Sequence, residues 1–157
     1  MIPKDNKFDH NELVEPSISS LLTVGACFEL VGLHRLKMLN LLRKDYEIAV
    51  RSRYPNCKPV ECVIVINGMW KGVKYIYSGV RASNCIVGVN GSKHKICEGY
   101  DPKARHMDIL LMLIRVNYKK YSINRIENTD VTMQKGYLHI EILEEFSDEY
   151  ELYEFNP

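Results

Sequence analysis

The sequence predicts one α+β domain, in which an N-terminal helical hairpin precedes an antiparallel β-meander, one buried helix and a C-terminal β-hairpin. Three observations carry that reading. Helical spacing of apolar residues dominates from 17 to 54, and from Val60 it gives way to short runs of branched and aromatic residues separated by glycine turns. The run Ile109–Ile114 is then apolar on every side, as in a helix enclosed by other elements. At 157 residues, with 46% hydrophobic and 26% charged side chains, the chain can bury a single core and lies outside the disordered regime.

Residues 1–16 form a polar lead-in without a basic-then-apolar signal, and no apolar run is long enough to span a bilayer, so a cytoplasmic chain is expected. After Pro16, "SISSLLTVGACFELVG" reads as one helix or two short ones, stopped by Gly32 in a left-handed conformation. A second helix from Leu33 to Val50 or slightly beyond completes the hairpin of 17–54, and Pro55 and Pro59 enclose the loop that ends it. The meander over 60–97 comprises "VECVIVI" up to Asn67-Gly68, then "GVKYIYSGV", then "NCIVGV" turning through Asn90-Gly91-Ser92 into "KHKIC". Asp101-Pro102 offers an N-cap and a first-turn proline for a helix over 102–120. A hairpin over 124–143 follows, in which Leu138, Ile140 and Ile142 alternate with Tyr137, His139 and Glu141, so that one face is buried. Residues 144–157 form an acidic-aromatic tail.

The net charge of +1 conceals segregation. Residues 33–126 hold eighteen Lys/Arg against six Asp/Glu, whereas 127–157 hold one against nine. A basic body of this kind suits anionic partners. Within it, "LTVGACFELVGLHRLKMLNLLRK" offers a short helix, a glycine turn and a second helix locked by Leu33, Met38 and Leu41. This stretch resembles small helix-turn-helix regulators, although Phe28 stands where that motif usually has a small residue. The resemblance implies DNA reading by the second helix. At about 100° per residue, His34, Lys37, Asn40 and Lys44 share one polar stripe. Trp70, at the tip of a hairpin beside Lys71 and Lys74, adds a ring for base stacking or for a protein contact. These seven residues are the candidate nucleic-acid site.

No Walker loop, dinucleotide fingerprint, nucleophile elbow or HExxH is present. His139-Ile140-Glu141 lacks the C-x-x-C that accompanies H-x-E in zinc deaminases, and reads as a solvated strand face. Cys57, Cys62, His94 and Cys97 have a spacing compatible with zinc, but Cys62 and Cys97 lie in apolar patterns where a thiol behaves as a small hydrophobe. The five cysteines are an odd set in a chain without a secretion signal, and are expected to be reduced and unliganded. The expectation is a non-catalytic protein, without cofactor or metal, that binds nucleic acid through its basic centre. Its alternatives are a protein-binding inhibitor or adaptor using the Trp70 hairpin or the tail, and an enzyme or small-nucleotide binder whose site leaves no linear motif.

Overall fold

A computed structural model describes residues 2–88 and 92–156. Helix α1 (His10–Leu13) opens on a capping box in which Asp9 accepts from the backbone and Glu12 reaches back to Asp9. Helix α2 (Pro16–Ser19) starts on its proline, and α3 (Val24–Val31) is capped by the Thr23 hydroxyl. Gly32, at φ +92°, ends α3 and begins α4 (Leu33–Arg53), giving the expected helical hairpin. Gly32 is the whole junction, whereas helix-turn-helix turns run to about three or four residues. Helix α4 buries Leu36, Leu39, Leu42, Tyr46 and Val50, and packs against α3 and the later helix α5.

Among the described residues of the meander region, regular pairing is confined to β1 (Gly68–Trp70) and β2 (Val73–Tyr75), joined by Lys71 and Gly72 at positive φ. The pivot thus falls beyond Asn67-Gly68, because Asn67 is committed elsewhere. Its buried side chain accepts from the Ser78 amide and donates to the Val14 carbonyl. Pro59–Cys62 and Lys93–Ile96 are single 3₁₀ turns. The expected turn at Asn90-Gly91-Ser92 lies largely outside the described residues.

Strand β3 (Gly99–Tyr100) leads to α5 (Met107–Asn117), which buries Ile109, Leu110, Leu111 and Ile114. The helix begins five residues later than Pro102 suggested: His106 is at its N-cap and Asp101 caps nothing, since its carboxylate is bonded to two histidines. The C-terminal antiparallel pair forms as expected from β4 (Ile123–Glu127) and β5 (Ile140–Ile142), with α6 (Thr129–Lys135) in the connection. Asn128 caps α6, and Gly136 ends it at φ +78°. Strand β6 (Tyr153–Phe155), from the tail, pairs parallel with β4, and the sheet runs in the order β3-β5-β4-β6.

Alternation along these strands divides the sheet into two faces. Tyr100, Ile126, Leu138, Ile140 and Ile142 are fully buried in the common core. The residues between them face the other way: Arg125 and Glu127 on β4, His139 before β5 and Glu141 within it, and Asp101 after β3. Glu141 lies opposite both Gly99 and Arg125 in the register. A polar cluster therefore stands on the side of the sheet away from the core.

Candidate metal centre

Three segments deliver the central side chains. The 3₁₀ turn Lys93–Ile96 presents His94, the end of β3 presents Asp101, and the approach to β5 presents His139. Asp101 Oδ1 lies 2.8 Å from His139 Nδ1 and 3.1 Å from His94 Nε2. The imidazole rings stand 5.0 Å apart at 57°. Gly99 makes this approach possible, because a Cβ there would lie 2.9 Å from His139 Cε1 and 2.9 Å from the His94 backbone nitrogen.

Each histidine is oriented by its other nitrogen. His94 Nδ1 lies 2.9 Å from the Gly79 carbonyl, which can only accept, so this nitrogen carries a proton. In the neutral imidazole Nε2 then turns a lone pair toward Asp101 Oδ1, a contact that requires either a second proton or a metal ion between them. His139 Nε2 lies 3.5 Å from Glu141 Oε1. Carbonyl–histidine and carboxylate–histidine supports are the usual surroundings of metal-ligating imidazoles. Among the described residues, His94, Asp101 and His139 are the only group of three or more potential His, Cys, Asp or Glu ligands whose donor atoms all lie within 4.8 Å of one another.

Electrostatics follow from these contacts. Burial opposes a charge on Asp101, but hydrogen bonds from His139 and His94 prevail and hold its carboxyl far below the usual range. Burial likewise opposes protonation of His139, yet its bonds to Asp101 and then Glu141 raise it to about 9. Arg81 Nη2 stands 3.6 Å from the second oxygen of Asp101, with its Nε donating to the Tyr77 carbonyl. Below the site, fully buried Lys103 donates to the carbonyls of Ile66 and Asp101 and to Ser78 Oγ, under the ring of Tyr75. Burial lowers its ammonium to about 8, with Asp101 opposing. Lys103 thereby fixes the backbone that carries Asp101.

An open cleft of about 440 Å³ lies over the triad, with Lys93, Arg125, Glu127, Lys135, Tyr137 and Phe155 among its lining residues. Lys135 donates to Glu127 Oε1 at 2.6 Å, while Glu127 Oε2 is buried without a partner among the described residues. Arg125 Nε also has no partner among the described residues, its guanidinium lying 4.3 Å from the Phe155 ring, which in turn meets His139 edge-on. An adjacent cleft shares Asp101 and Tyr137 with the first and extends past Tyr75 to Lys74 of β2.

The residues singled out from the sequence lie elsewhere. His34 bonds to Ser122 Oγ at 2.8 Å, and buried Asn40 donates to the Leu36 carbonyl and Asn6 while accepting from the Lys7 amide. Lys37 and Lys44 are exposed on α4. Trp70 is half-buried, with Lys71 and Lys74 exposed beside it. Cys57 and Cys62 face each other, and His94 turns to Gly79 and Asp101, so the four residues weighed for zinc do not converge. His139 and Glu141 are not a solvated pair, because Phe155 and the Lys93–Ile96 turn cover that face. Their i,i+2 spacing on a strand was the one available signal. Comparison with family models, with curated proteins and with solved structures finds no match for this chain.

Proposed function

We propose that the chain is a metal-dependent hydrolase of phosphoesters, binding a divalent transition ion, zinc first, through His94, Asp101 and His139. The observation that carries this reading is His94, whose Nδ1 is committed to a carbonyl while its Nε2 faces a carboxylate oxygen at 3.1 Å. Tetrahedral zinc with bonds near 2.0–2.1 Å needs ligand atoms roughly 3.3 Å apart. The observed 2.8 and 3.1 Å contacts need to open by only a few tenths of an ångström. Two histidines and one carboxylate leave a coordination position open, and a bound ion would supply an acidified water there.

The remaining roles belong to the cleft. Glu127, buried with one oxygen free, suits a general base. Arg125, whose guanidinium lines the cleft 3.6 Å from Glu141, and Lys93, paired with Glu98 at 2.8 Å, suit the non-bridging oxygens of a phosphate. Tyr137 and Phe155 offer stacking surfaces, and the basic β1–β2 hairpin extends the path toward Trp70, which favours a nucleotide or a single strand as substrate. This reading revises the expectation of a non-catalytic, metal-free binder while keeping nucleic acid as the partner.

The test is zinc stoichiometry by native mass spectrometry, followed by hydrolysis of bis(p-nitrophenyl) phosphate and of a labelled single-stranded oligonucleotide. One ion per chain is expected, lost in His94→Ala and His139→Ala and retained in the Cys57→Ser, Cys62→Ser double variant. Failure to bind zinc, manganese or iron would sink the proposal, as would undiminished binding in both histidine variants. Binding without hydrolysis of either substrate would leave the metal site and remove the phosphoesterase.

A further inference from the structure

A second cluster lies at the far end of α4, independent of the metal centre. Helix α4 ends at Arg53, Tyr54 caps it, and the chain passes through Cys57 into the 3₁₀ turn Pro59–Cys62. The two sulfurs stand 2.8 Å apart, well inside the contact distance of two unbonded sulfurs. Cys62 is buried and also points toward the Lys58 carbonyl at 3.5 Å. Cys57 is half-buried and lines an open cleft of about 520 Å³ with Arg53, Asn56, Glu61 and His106. His106 also lines the cleft: its buried Nε2, on a ring stacked on Tyr54 at 4.5 Å, has no hydrogen-bond partner among the described residues.

We propose that Cys57 and Cys62 are a reversible dithiol–disulfide couple, with the cleft beside Cys57 admitting a small disulfide of the glutathione class as its exchange partner. The accessible sulfur reacts first. As its thiolate, Cys57 attacks one sulfur of glutathione disulfide and releases one glutathione thiolate. The sulfur of Cys62 then attacks Cys57 Sγ in the mixed disulfide, its proton leaving with the second glutathione. The protein loses two protons and two electrons, and one glutathione disulfide becomes two glutathiones. The sulfurs must approach by less than 1 Å to reach a bond of about 2.05 Å, a movement within the six-residue segment from Cys57 to Cys62 rather than a rearrangement of the fold. Burial pushes the Cys62 thiol up to about 11, which suits a resolving sulfur that stays protonated until its partner is engaged.

The experiment uses the full chain. The folded protein is equilibrated with glutathione buffers of increasing disulfide content, quenched in acid, alkylated and digested with trypsin. Lys58 precedes Pro59 and resists cleavage, so both cysteines fall on the peptide Tyr54–Lys71. The expected result is that peptide unalkylated, lighter by two hydrogens and restored by dithiothreitol, with Cys27, Cys85 and Cys97 still alkylated. The native chain should need a lower disulfide-to-thiol ratio than the urea-unfolded chain. Cys62→Ser should accumulate a glutathione adduct on Cys57. An alkylated peptide at every ratio, a native ratio no lower than the unfolded one, or a Cys62→Ser protein without adduct would each overturn the proposal.

Discussion

Asp101→Asn tests the ion network at its centre with almost no change of shape. In the metal-free protein the substitution removes the negative charge that His139, His94 and Arg81 share through side chains that are themselves largely buried at the floor of the cleft. Breaking a buried pair at one partner costs about 3–5 kcal/mol, and the asparagine oxygen can still accept one bond, so the low end, about 3 kcal/mol, is expected at neutral pH. For a chain of this length that is a fall in Tm of about 6–12 °C. The loss should depend on pH. His139 is raised from 6.5 to about 9 in the fold, burial being outweighed by Asp101 and Glu141. Its stabilisation is therefore fully present below pH ~6.5 and is lost as the pH rises through about 9, because the folded state then stops holding the extra proton. That window corresponds to about 3 kcal/mol. Thermal melts of the chelator-treated wild type and the variant, read by circular dichroism from pH 6 to 10, should converge at the alkaline end. A difference in Tm that stays constant across the range, or no destabilisation at pH 6, would refute the network.

Gly99→Ala should weaken zinc binding by roughly the 10–100-fold seen when a metal's supporting contacts are disturbed, measured by competition with a chromophoric chelator, because the added methyl meets His139 and the His94 backbone. The triple variant Lys37→Ala, Asn40→Ala, Lys44→Ala decides the role of the α4 stripe. Asn40 holds Leu36, Asn6 and Lys7 together, so a loss of about 1–3 kcal/mol in urea unfolding is expected, and unchanged stability with lost DNA binding would favour a reading helix. Truncation after Leu143 removes six carboxylates, taking the formal charge from +1 to +7, and takes Phe155 from Arg125 and Glu154 from Arg115. Oligonucleotide affinity, followed by fluorescence anisotropy, should rise at low salt and lose that gain near roughly 0.1 M, where the screening length is about 10 Å. Equal affinity at every salt concentration would show that the tail masks nothing.

The fold was legible where one period governed a segment. Helical spacing located α3, α4 and α5, and the alternation of Leu138, Ile140 and Ile142 located β5 and its buried face. The opposite face was misjudged for a physical reason. His139 and Glu141 look solvated from the strand alone, and only the parallel addition of β6 and the turn carrying His94 enclose them. Asp101 before a proline has the local chemistry of a helix cap, but two imidazoles and an arginine compete for the same carboxylate and win. In the stripe of α4, Asn40 looked free to meet a base, because nothing local reveals that residues 6 and 7 return to bond it. Apart from His94 and Asp101, seven positions apart, these contacts join residues remote in the chain, and spacing alone does not show them.

Lys103 carries one further consequence. Its ammonium is fully enclosed, gathering oxygen atoms contributed by Ile66, Ser78 and Asp101, so no acylating reagent can reach it while those three segments stay together. The reactivity of this one amine is therefore a clock for the whole assembly. Surface lysines such as Lys37 and Lys71 acquire label at once, whereas the label on Lys103 accumulates only as often as the segments part. A ligand that knits Asp101 to its neighbours should slow that clock, and the slowing can be timed without knowing what the ligand is.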